Sequence, residues 1–97
     1  MSHGKTYVLD AVAVTGCISA NTEYARLMIE GHTESDSGQR EPVEPLYIMR
    51  SSILTNDTEL LSVIKMFRCE SATSARYGLS SDDIKKAIKV YDMFERL

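Results

Sequence analysis

The chain has 97 residues, 43% of them hydrophobic, and a formal net charge of -3. That length holds one domain with one modest core, and the apolar share suits a folded globule rather than a disordered chain. The mild acidic balance, with both signs interspersed, argues against a general nucleic-acid binder, which needs a concentrated positive field, and lacks the dense acidic runs of a DNA mimic.

The first predicted element is a long strand over Lys5–Ser19. Val8, Val12, Val14 and Ile18 share one parity, and Tyr7, Leu9, Ala11, Ala13 and Cys17 the other. Branched residues favour the extended backbone because their side-chain rotamers are already restricted. Ser19-Ala20-Asn21-Thr22 reads as a turn, since Asn tolerates a left-handed backbone. Residues 23–31 resume the alternation, with Ala25, Leu27 and Ile29 against Tyr24, Arg26, Met28 and Glu30, so the two runs predict an antiparallel hairpin. Residues 31–45 show no apolar periodicity and read as a mobile loop rich in Ser, Pro and Glu. A third strand follows over 46–54, with Pro45 at its start.

Asn56 or Asp57 caps a first helix whose apolar stripe is Leu60, Leu61, Ile64 and Phe67, widened by Val63. Residues 70–78 are rich in Ser, Thr and Ala and read as a connection. Ser80-Ser81-Asp82-Asp83 resembles a capping box, and Ile84, Ala87, Ile88, Tyr91 and Phe94 form the core stripe of a last helix. The order strand, strand, strand, helix, helix predicts an α+β fold: one domain over 1–97, with a three-stranded antiparallel sheet and two C-terminal helices on one face.

No motif carries catalytic chemistry. Gly4-Lys5-Thr6 ends like a phosphate-binding loop, but it precedes a strand, whereas such loops open a helix. Ser62 and Lys65 match an acyl-enzyme pair in spacing alone. His3 and His32, the only histidines, lack partners at ligand spacing, so no metal and no cofactor are expected. Cys17 and Cys69 read as free thiols, residues 1–5 as too polar for a signal peptide, and no apolar run reaches the ~20 residues of a membrane span. The expected setting is therefore cytoplasmic: the host cytoplasm, if the chain is encoded by a phage or mobile element. Asp10 falls on the parity of Val8 and is expected to pair with Arg50.

The two sheet faces differ. Val8, Val12, Val14, Ile18, Leu27 and Ile29 are aliphatic and expected beneath the helices. The other face carries Tyr7, Leu9, Ala11, Ala13, Thr15, Tyr24, Arg26 and Met28, too apolar to be merely solvated. Tyr, Arg and Met are enriched in interface cores. Tyr7, Tyr24, Arg26, Met28, Tyr47 and Arg50 are thus the candidate binding residues. The expected function is a non-catalytic protein-binding module, an accessory or inhibitory protein of the phage or mobile-element kind, working with a protein partner or a second copy of itself. Two alternatives are a nucleotide-like ligand bound at a subunit boundary, with Arg26, Arg40 or Arg50 on phosphate, and a small subunit of a larger assembly.

Overall fold

A computed structural model describes residues 4–19 and 22–95, and the side chains of all of these except 17–19, 22–24 and 95. The fold is α+β. Strands β1 (Lys5–Ser19), β2 (Thr22–Ser35) and β3 (Arg40–Ile48) lead through a 3-10 turn (Ser51–Leu54) to helix α1 (Asp57–Phe67). Strand β4 (Ala72–Tyr77) and helix α2 (Ser81–Glu95) follow.

The sheet has four strands in the order β3-β2-β1-β4, and it is mixed, not three-stranded and antiparallel. The β1–β2 hairpin is antiparallel as expected, and its register ends at Ser19↔Thr22. β4, expected as a connection, pairs parallel with β1 from Lys5↔Ala72 to Leu9↔Tyr77. Its inward residues are small or half-covered, with only Ala72 fully buried, so alternation left no apolar signature.

Residues 31–45, expected as a loop, are mostly paired strand: β2 and β3 run on to Glu34↔Arg40. Only a tight turn separates them. Ser35 accepts from the Gly38 amide at 2.9 Å and donates its own amide to Gln39 at 3.0 Å. Gly38 sits at φ 87, a left-handed conformation that glycine adopts without steric cost. The expected third strand is likewise displaced: β3 ends at Ile48, and Ser51–Leu54 coils.

The faces also differ from strict alternation. Between Leu9↔Gly31 and Ala11↔Glu30, β1 carries one extra residue, Asp10. This bulge resets the parity, so Tyr7 and Leu9 share the helix-covered face with Val12 and Val14. Tyr7 and Leu9 are core residues at 1% and 0% exposure. A second irregularity lies across β2: between Ile29↔Leu46 and Gly31↔Val43, β3 carries an extra residue at Glu44–Pro45. Gly31 lies beside both, and a Cβ there would strike the Val8 carbonyl and the Tyr7 hydroxyl. The missing side chain is what lets the Tyr7 ring lie across β2.

Ala25, Leu27 and Ile29 join Leu46, Ile48, Leu60, Ile64, Ile84 and Tyr91 in one core. Both helices start as their caps dictate. The Asn56 side chain accepts from the Thr58 and Glu59 amides at 3.0 and 3.2 Å, and Ser80 Oγ accepts from the Asp83 amide at 3.2 Å. Tyr91 Oη donates to the Met49 carbonyl at 2.5 Å, tying α2 to the exit of β3. Cys69 is a free thiol, and among the described residues no helix is long and apolar enough to cross a membrane.

Candidate functional site

Two surface features stand out. The first is a polar cluster on the sheet face away from the helices. His32 Nδ1 meets Asp10 Oδ2 at 2.5 Å, and its Nε2 meets Glu34 Oε1 at 3.0 Å. Glu34 also receives Arg76 at 3.1 Å and Arg40 at 3.4 Å. The five residues come from all four strands, with His32 and Arg76 flanking the buried Val8 on its two sides. Asp10 therefore pairs with His32 and not with Arg50, because the bulge aims it at β2.

Hydrogen bonds to Glu34 and then Asp10 raise the His32 pKa above its usual 6.5, against a smaller opposing effect of burial. The His32 hydrogen bond holds the Glu34 carboxyl below its usual range, helped by Arg40 and Arg76. With a carboxylate on each nitrogen, the doubly protonated ring is the form that satisfies both. In that form neither ring nitrogen offers a free lone pair, and no group of three or more His, Cys, Asp and Glu placed to hold a metal ion occurs among the described residues. The cluster works as a clamp on the sheet.

The second feature is apolar. Tyr47, Met49, Met66 and Phe67 are 49%, 61%, 74% and 60% exposed. All four line one groove of about 520 Å³ between the exit of β3 and α1, floored by Ile48 and Ile53. Local structure creates it. The chain leaves β3 at Ile48 and turns through Ser51–Leu54, placing α1 beside the strand end with a gap between them. Arg50 stands at the rim, bonded to Glu59 at 3.0 Å and within 3.4 Å of Ser52 Oγ.

Of the predicted binding residues, three stand together on the uncovered face. Arg26 lies 5.3 Å over the Tyr47 ring, and Met28 pairs directly with Tyr47 across β2 and β3. Tyr47 belongs both to this patch and to the groove, and Arg50 to the groove alone. Tyr7 is not on that face but in the core, where burial first, then Asp10 and Glu30, push its phenol up to about 12. Tyr24 has a side chain outside the described residues. Met49, Met66 and Phe67 were not singled out from the sequence. Helical spacing puts Phe67 in the core stripe, and nothing in the periodicity marks a helix end that overhangs its sheet.

The site and fold thus define a small α+β protein with an uncovered apolar groove. Compared with protein-family models, curated proteins and solved structures, the chain matches none.

Proposed function

We propose that the chain is a non-catalytic protein-binding module that receives apolar side chains of a larger partner protein in the Tyr47–Phe67 groove. One observation carries this reading: four large exposed apolar side chains converge on one concavity. Scattered single hydrophobes are ordinary on a protein surface, whereas a contiguous set marks contact. Two are methionines, whose flexible thioethers adapt to a partner's shape. Arg26 and Met28 extend the surface past Tyr47, and the Arg50–Glu59 pair gives it a polar rim. The action is that of an accessory or inhibitory protein, which works by covering part of its target.

A nucleotide-like ligand has less support. Of the three arginines proposed for phosphate, Arg26 lies on Tyr47, Arg40 meets Glu34 and Arg50 meets Glu59.

The test is a photo-cross-linking residue at position 66 in the native source, then affinity measured against the purified protein it captures. The pair Met49→Gln and Met66→Gln removes apolar surface without touching the core and is expected to weaken binding at least tenfold, at unchanged stability. Unchanged affinity in that variant, or no discrete adduct, would sink the proposal.

A further inference from the structure

A separate surface, independent of the groove, lies along the outer edge of β1. β4 stops pairing at Leu9↔Tyr77, closed by the Gly78 amide donating to the Leu9 carbonyl at 2.7 Å. From Ala11 to Ser19, β1 is bonded on one side to β2, and among the described residues no strand occupies the other. Such an edge presents alternating amides and carbonyls that template another strand.

The sheet's other edges are guarded. β3 carries Pro42, Pro45, Glu41 and Glu44, β4 is short, and the part of β2 before Leu27, which β3 leaves unpaired, carries Glu23 and Arg26. The Ala11–Ser19 run has no charge and no proline. Beside it runs a groove of about 500 Å³, walled by Ala11, Val12 and Val14 on the strand and by Ala87 and Val90 on α2, with Asp10, Asp83 and Lys86 as its charged lining. Val90 and Phe94 are 43% and 38% exposed on that flank of the helix, and Phe94 lies against Gly16.

We infer that this edge pairs with the same edge of a second copy, antiparallel about a two-fold axis, continuing the sheet from one protomer into the other. Backbone geometry fixes the occupant as a strand. Self-pairing sets no like charges opposite one another, because the run carries none. A two-fold perpendicular to the sheet puts both α2 helices on one face, side by side across the seam, where Val90 and Phe94 gain cover. At ~3.3 Å per residue the free edge is about 30 Å long. With a strand and a helix layer in depth, each copy buries about 600 Å², at the lower bound of a stable interface.

The experiment is sedimentation of the full chain over a concentration series. The wild type is expected to approach twice 10.9 kDa. The double variant Ala11→Lys, Ala13→Lys, on two exposed positions, is expected to sediment as a monomer with an unchanged circular dichroism spectrum. Amide exchange gives a second readout should the lysines unfold the chain: protection along 11–19 is expected to rise with concentration, while that of β3 does not. A monomeric wild type overturns the inference. So does a dimer that survives the lysines but dissociates in Met49→Gln, Met66→Gln, or one whose β1 amides ignore concentration.

Discussion

His32 is 19% exposed, yet both its ring nitrogens are committed. Its raised pKa reflects stronger interaction in the folded state, so its contribution to stability is complete below the ordinary value of 6.5 and drains away as pH climbs through the elevated midpoint. Glu34 runs the opposite way. Its lowered pKa makes its contribution complete above 4.5 and lost as pH falls through the depressed midpoint. The clamp is therefore whole between about 4.5 and 6.5. A proton NMR titration is expected to place the His32 midpoint above 6.5 and to bring it back toward that value in Glu34→Gln. The stability gap between wild type and His32→Gln is expected to close as pH rises past the midpoint. A wild-type midpoint at or below 6.5 would show that the ring is not held as a cation. Spacing alone reveals neither partner: Asp10 lies 22 positions upstream and only the hairpin register joins them, and Glu34, two residues on, shares a face with His32 only once 31–45 is strand rather than loop.

Among the elements, those with chemical punctuation were legible. Asn56 and Ser80 mark both helix starts, and Asn56→Ala is expected to cost about 1 kcal/mol by urea unfolding, since two backbone amides lose their acceptor. A loss near zero would mean that water replaces the cap at no cost. The hairpin was legible from β-branched alternation. β4 was not, because Ala, Ser and Thr are as common in connections as on a half-covered edge. The stretch 31–45 was misread for another reason. Its outward positions, His32, Glu34, Arg40 and Pro42, are polar or imino, and its inward ones include Gly31 and Thr33, so pairing rather than hydrophobicity holds it in the sheet. Of the residues in the groove and the patch beside it, Arg26, Met28, Tyr47 and Arg50 are candidates by residue type alone. Met49, Met66 and Phe67 emerged only once the chain's path set α1 beside the end of β3.

Taken whole, the molecule measures 52 × 26 × 19 Å, long because the hairpin outruns its neighbours on both flanks. Its two apolar exposures lie on different elements, the groove on β3 and α1 and the free edge on β1 with α2, so one copy can meet a partner and its twin together. The extra residue at Asp10 carries a consequence for changes of chain length. Leu9 and Val12 point the same way with two residues between them; with Asp10 gone, Ala11 alone separates them, which is ordinary alternation. Excising Asp10 thus heals the irregularity, leaves every inward aliphatic in place and forfeits one exposed ion pair, about 1 kcal/mol or less. Excising Ala13 instead forces Ala11 inward and Val12 outward if the pairing beyond is to hold. Urea melts of the two shortened chains are expected to rank the first well above the second. The spare residue makes that one point of β1 a place where the gene can lose a codon and the protein can keep its core.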